Sequence, residues 1–163
     1  YKARQHMRLE YFQLIDRIVD LNLADRRVRS VATVPSESTI FEGHFPGNPL
    51  MPGVLLIEAM AQTGGWLAVA LNRFERMPFL AAVKEVKLRT FVEPGQVLSI
   101  EANLVHEGSG FAVMDAEIKR ETKAICNATM TFRILDFPNA EMASHMLETA
   151  KLLGLNPEVR ADG

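Results

Sequence analysis

Between residues 41 and 62 the chain reads FEGHFPGNPLMPGVLLIEAMAQ, and several groups in this stretch are of types that move protons or steady negative charge. Glu58 is the only charged residue in the apolar run Gly53–Leu71. A carboxylate buried without a partner is costly, so it must be paired, hold a proton or face a cleft. Gln62 follows at i+4, on the same face of a helix and within reach of the carboxyl. The pair fits a general acid with its orienting amide; it also fits a structural polar pair inside a core. His44 sits among Gly43, Pro46, Gly47 and Pro49, residues that stiffen the backbone and lower the entropy lost in holding a side chain still. An imidazole titrates near neutrality and can act as a base, although a loop histidine can equally be merely exposed. Pro52-Gly53 opens the apolar run, and its first turn, Gly53–Leu56, has no Ser, Thr, Asp or Glu to satisfy the leading N–H groups. Free donors at a helix start can bind a carbonyl oxygen that gains negative charge; water or the preceding loop would also satisfy them.

These groups need elements to hold them. The run Gly53–Leu71 is apolar nearly all round and predicts a helix that needs cover on most sides. It is long enough to cross a bilayer, but Glu58, Gln62 and Thr63 within it favour the interior of a water-soluble fold. Ala59, Ala61, Gly64, Gly65 and Ala68 let strands approach it closely. Tyr11–Leu21 and Arg26–Pro35 read as strands around a turn at residues 22–25, and residues 36–52 as loop. Arg73–Pro78 ends the helix, with Pro78 as the breaker. From there the apolar period becomes two. Phe79–Phe91, Val97–Val105, Phe111–Lys119 and Ile125–Ile134 read as four consecutive strands. The sets Leu98/Ile100/Ala102/Leu104, Ala112/Met114/Ala116/Ile118 and Cys126/Ala128/Met130/Phe132/Ile134 supply the inner face. The predicted class is α+β, an antiparallel sheet curved around one long helix. Asn139–Leu153 predicts a further helix, with Met142, Met146, Ala150 and Leu153 on one stripe, packed on the sheet as a surface element. The expected division is a main domain at 7–135 and a helical extension at 136–163.

Composition narrows the function. The 163 residues carry 18 Lys plus Arg against 20 Asp plus Glu, a net charge of −2, which argues against a dedicated nucleic-acid binder. One cysteine excludes an internal disulfide and fits a reducing cytosol. Cys126 falls on the apolar face of a strand and reads as core rather than nucleophile. His6, His106 and His145 are dispersed, and no HExxH, GxSxG or GxGxxG motif occurs. No signal peptide opens the chain, and Met7 reads as its natural start.

The segment HFPGNPLMPGVLLIEAMAQ, His44–Gln62, closely resembles the signature of the 3-hydroxyacyl-acyl-carrier-protein dehydratases of the FabZ type. The resemblance extends more loosely over Leu9–Ile134, through FQLIDRI at residues 12–18 and VEPGQ at residues 92–96. It implies a hot dog fold, in agreement with the layout above. It implies His44 as base, Glu58 as acid, Gly53 as the N–H that polarises a thioester carbonyl, and Gln62 as the residue that orients the acid. Val54 and Phe91 join Gly53 and Gln62 as expected substrate-binding residues. The implied reaction converts a (3R)-hydroxyacyl thioester to a trans-2-enoyl thioester, with no metal, nucleotide or redox cofactor. The implied partners are an acyl carrier protein and a second copy of the chain. The site would combine His44 of one subunit with Glu58 of the other, and three dimers would form a hexamer.

The chain also departs from that pattern. KLRTFVEPGQ, residues 87–96, stands where RFRRPVVPGD is usual, so that Phe91 replaces a proline and Leu88 an aromatic. Tyr11 replaces a proline, and the chain continues past Ile134. These changes bear on tunnel shape and chain-length preference and are similar to a divergent subgroup associated with very long acyl chains of lipid A. Because the carrier is acidic, Lys84, Lys87 and Arg89 are expected to form a basic docking patch. Two other readings stay open: a hot dog thioesterase, and a non-catalytic protein that binds acyl chains or the carrier.

Overall fold

The computed structural model describes residues 6–155. Residues 1–5, which bear on the expected start at Met7, and the last eight residues of the expected extension lie outside them. Six strands form one antiparallel sheet: β1 (Arg17–Asn22), β2 (Arg27–Thr33), β3 (Arg76–Leu88), β4 (Val97–Gly108), β5 (Phe111–Arg120) and β6 (Lys123–Asp136). Their order across the sheet is β1-β2-β4-β5-β6-β3. The short helix α1 (Thr39–Gly43), the long helix α2 (Gly53–Leu71) and the C-terminal α3 (Ala140–Leu152) complete the chain.

The sheet wraps α2, which packs against β2, β3, β4, β5 and β6. By length and composition α2 passes for a membrane span, yet 67% of its apolar window is buried inside the fold. The small residues do the expected work at Gly64. A Cβ there would meet Met114 Sδ at 3.1 Å, and Met130 and Phe132 at 3.3 Å. The alternating inner-face residues of β4, β5 and β6 fill the core, with Leu98, Ile100, Met114, Ile118, Cys126 and Met130 wholly buried. One polar contact crosses between helix and sheet. Thr63 donates to Ala59 O (2.9 Å) and therefore accepts from the Ser30 hydroxyl on β2 (2.7 Å), so both buried hydroxyls are satisfied.

Several local expectations are corrected. Tyr11–Leu21 is not one strand: Leu9–Tyr11 is a 3-10 turn that ends on Phe12 in the left-handed region (φ 53°), and β1 begins only at Arg17. The carboxylate of Asp16 closes this excursion by accepting from Met7 N (2.7 Å) and Thr33 N (2.8 Å). Residues 36–52 are not all loop, because Ser38 caps α1 by accepting from Ile40 N. Pro78 does not break the helix. Asn72 caps α2, Arg73 and Phe74 reverse the chain with φ of 61°, and Pro78 lies inside β3, opposite Ile134. A proline is tolerated there because β3 is an edge strand. Nor do β3 and β4 form a hairpin. Residues 89–96 carry the chain across the sheet, tied to the end of β2 by Val34 N to Gln96 O (2.9 Å) and Gly95 N to Val34 O (2.8 Å). β3 pairs instead with β6.

Candidate active site

α1 and the loop after it hold His44. The His44 N–H donates to Ile40 O, and Leu50 N returns a bond to His44 O, each at 3.0 Å. Phe45 and Asn48 exchange a pair of backbone bonds inside the loop (3.1 and 2.9 Å), and Met51 N donates to Val92 O (2.8 Å) at its exit. The imidazole Nδ1 lies 3.0 Å from Leu50 O. A carbonyl can only accept, so Nδ1 carries a proton, and in the neutral ring this leaves the lone pair on Nε2. The ring stacks on Phe45 at 4.1 Å between centroids. Glu10 anchors the start of α1 from outside. It accepts from Ser38 Oγ (2.6 Å), Thr39 N (3.0 Å) and Thr39 Oγ1 (3.3 Å). The Ser38 hydroxyl first, and backbone N–H donors after it, pull the Glu10 carboxyl down to about 2.

Gly53 is the first residue of α2, and its cap, Pro52, offers no side-chain bond. Among the described residues, no acceptor is bonded to the Gly53 N–H. His44 and Gly53 line one cleft of about 450 Å³, walled by Leu50, Met51, Leu56 and Leu88. Phe91 stands at its rim, 75% exposed. Val54 does not line this cleft; it projects from the first turn of α2 and is 71% exposed.

Glu58 opens into a second cleft, also about 450 Å³. Residues five apart on a helix are rotated by about 140°, which turns Glu58 away from the N–H of Gly53. The Gln62 amide donates to Glu58 Oε1 (3.1 Å) and to Phe12 O (2.6 Å), while Gln62 Oε1 accepts from Leu14 N (3.1 Å). The backbone on either side of Gln13 thus fixes which end of the amide faces the carboxyl. Trp66, Met77, Leu80 and Phe132 give this cleft apolar walls, with Tyr11 and Phe12 at its edge. Sequence reasoning placed those two aromatics in a strand; their signal is a pair of adjacent large rings that the structure leaves 64% and 60% exposed. It also missed α3 as a wall: His145, Met146, Thr149, Leu152 and Leu153 all face this cleft.

Within one chain, then, the expected base and the expected acid border separate clefts. The expected basic residues lie at the end of β3. A bulge at Glu85 (φ 54°) sets Lys84 opposite Thr129 and Lys87 opposite Asn127, so both lysines share the outer face of the sheet. Arg89 donates to Asn127 Oδ1 (3.0 Å) and borders the His44 cleft as well. The same outer face carries Glu85, Glu101, Asp115 and Glu117, so its charge is mixed. Cys126 is buried; desolvation, then the charge of Glu117, push its thiol up to about 11, which suits a core residue and not a nucleophile. Among the described residues no group of three His, Cys, Asp or Glu is placed to hold a metal.

Residues 7–129 match the FabA-like domain family. The chain belongs to that family. Within it, the chain is 35% identical over 124 residues to the 3-hydroxyacyl-acyl-carrier-protein dehydratase FabZ of Caldicellulosiruptor saccharolyticus, covering 76% of this chain and 88% of the relative. It is 39% identical over 129 residues to the FabZ of Clostridium acetobutylicum, covering 75% and 86%. A solved structure of a hypothetical thioesterase protein with coenzyme A, from Streptococcus pneumoniae TIGR4, superposes with a TM-score of 0.58 at 20% identity, covering 76% of this chain and 88% of that one. That likeness shows the fold, the hot dog fold expected from the layout of the FabA-like chain. Helix α3 lies beyond the family match.

Proposed function

We propose that this FabA-like protein is a hydro-lyase of fatty acid biosynthesis that dehydrates (3R)-hydroxyacyl groups on acyl carrier protein to trans-2-enoyl groups. The observation that carries the reading is the pairing of an imidazole with a free Nε2 and a helix-start N–H in one cleft, joined to an amide-held carboxyl on the same helix. The Gly53 N–H, aided by the dipole of α2, donates to the thioester oxygen as it gains negative charge. His44 Nε2 takes the α proton. The electron pair left on the α carbon forms the double bond as the bond from the β carbon to oxygen breaks. Glu58 gives its proton to the departing hydroxyl, directly or through water, and water leaves.

A second protomer brings the two halves together, His44 of one facing Glu58 of its partner. The outer edge of β3 supports this pairing, since Phe79, Leu80, Val86 and Leu88 are exposed on an unpaired edge strand. Sedimentation distinguishes the dimer from a trimer of dimers. Arg89 at the mouth of the His44 cleft, with Lys87 and Lys84 beyond it, receives the acidic carrier. The expected compartment is the cytosol.

The test is an assay of 3-hydroxyacyl-carrier substrates from short to very long chains, followed for both enoyl formation and free thiol. Enoyl formation without thiol release is expected. Thiol release without enoyl product establishes the thioesterase reading instead, and tight binding without turnover establishes a carrier-binding protein. A preference for the longest chains supports a role in lipid A acylation.

A further inference from the structure

We infer that α3 is a specificity element, the wall that limits how long an acyl chain the Glu58 cleft accepts. The inference rests on the dehydratase reading, because it takes the β carbon of the substrate to lie beside Glu58. From there one apolar path leads along α2. Glu58, Ala61, Gln62, Gly65 and Trp66 all border the same cleft. From Glu58 to Trp66 there are eight helical steps, about 12 Å at 1.5 Å each. Across from it stand Met77, Pro78 and Leu80 of β3. A further side belongs to α3, through Met146, Thr149 and Leu152.

The wall is fixed in place. Ala150, Leu153 and Leu155 are buried in the core, and Ile18 N of β1 donates to Leu153 O at 2.8 Å. Asn139 caps the helix by accepting from Met142 N (2.8 Å). Leu153 is both anchor and wall; the other cleft-facing residues are distinct from the anchors. Thr149 is half-buried and Leu152 is 44% exposed, so these two border the groove without holding the helix down, while the half-buried Met146 also packs against the core. An apolar acyl chain is the occupant that fits. Apolar surface dominates the cleft, and the groups beyond Gln62 toward Trp66 offer little to a polar ligand.

The experiment changes the wall without touching the anchors. Thr149→Phe fills the groove; Leu152→Ala opens it. For the full-length protein and both variants, kcat/KM is measured on a series of 3-hydroxyacyl thioesters of increasing length. In parallel, enoyl thioester binding is followed by the emission of Trp66, the only tryptophan and a residue of this cleft. The expected result is a long-to-short ratio of kcat/KM that falls about tenfold or more in the filled variant and rises in the opened one, as small volume changes in apolar pockets produce. Trp66-detected affinities should move with it. An unchanged ratio in both variants, with hydration of crotonyl thioester retained, overturns the inference and leaves the dehydratase reading intact. No hydration of any chain length by the unaltered protein overturns that reading and this inference together.

Discussion

Gln62 donates to Glu58 one helical turn earlier, at 3.1 Å, with its amide clamped by Phe12 O and Leu14 N of the N-terminal segment. The carboxyl is therefore aimed by the backbone of a segment outside α2. Gln62→Met keeps the length and loses all three bonds. Loss of aim at a reacting group lowers kcat by about tenfold to a hundredfold, and each lost bond costs about 1 kcal/mol of stability. Steady-state hydration kinetics should show the fall in kcat rather than in substrate affinity, and thermal unfolding should show the modest loss of stability. A rise in KM alone would mean that Gln62 binds substrate and does not position the acid.

The separation of His44 and Glu58 into two clefts of one chain makes a prediction about mixtures. His44→Ala and Glu58→Gln should each lower kcat by about a hundredfold to ten-thousandfold, with little change in unfolding temperature. If each site draws its two groups from different protomers, unfolding and refolding the variants together creates dimers with one intact site. A statistical mixture then recovers about a quarter of the unaltered activity. Recovery no better than the sum of the separate variants would place both groups in one chain's site.

How much of this was legible in the sequence depends on the range of the cause. The apolar run with its single carboxylate announces α2 and Glu58, and alternation announces the inner faces of β4, β5 and β6, because burial acts residue by residue. The partner of β3 is set by competition among distant edges, so the crossover to β6 left no local mark. Tyr11 and Phe12 alternate like a strand, but a bond from Gln62 to Phe12 O, 50 residues away in sequence, supports the turn that takes them out of the sheet. The stripe of α3 was readable; that the same helix flanks the Glu58 cleft was not, since a stripe states which face is covered and not what it faces. His44 and Glu58 stand close in sequence, and only the helical rotation between Gly53 and Glu58 sends them to different clefts.

Glu10 should confer an acid-sensitive share of stability. Its carboxyl is held at about 2 in the folded protein, against a usual 4.5, chiefly by the Ser38 hydroxyl. A lowered folded pKa means that the stabilisation is complete above the unfolded value and is lost as pH falls through the folded one. Comparison of unfolding temperatures for the unaltered protein and Glu10→Gln should show the largest gap above pH 4.5, closing toward pH 2. A gap that does not change with pH would show that the ionised form of Glu10 is not what holds α1.

Charge reversal at Lys87 and Arg89 should weaken binding of acyl carrier protein about tenfold at low salt and much less at high salt, because exposed charges are screened. Arg89 should dominate. It borders the His44 cleft and is held by Asn127, whereas Lys87 shares its face with Glu85, Glu101, Asp115 and Glu117. Equal binding at every salt concentration would move the carrier to another surface.

The N–H of Gly53 can be removed without altering the helix around it. Proline is favoured at the first helical position, where its missing N–H bonds nothing within the helix. The preceding Pro52 already has the extended backbone (φ −59°, ψ 133°) that a following proline requires. Any added Cβ at this position meets Leu88 Cδ1 at 2.7 Å, the mobile end of a half-exposed side chain, so Gly53→Ala serves as the control for bulk. If the N–H stabilises the thioester oxygen, Gly53→Pro loses about a hundredfold to a thousandfold in kcat relative to Gly53→Ala, with both variants folded by circular dichroism. Equal rates in the two variants would assign the oxygen to a different donor.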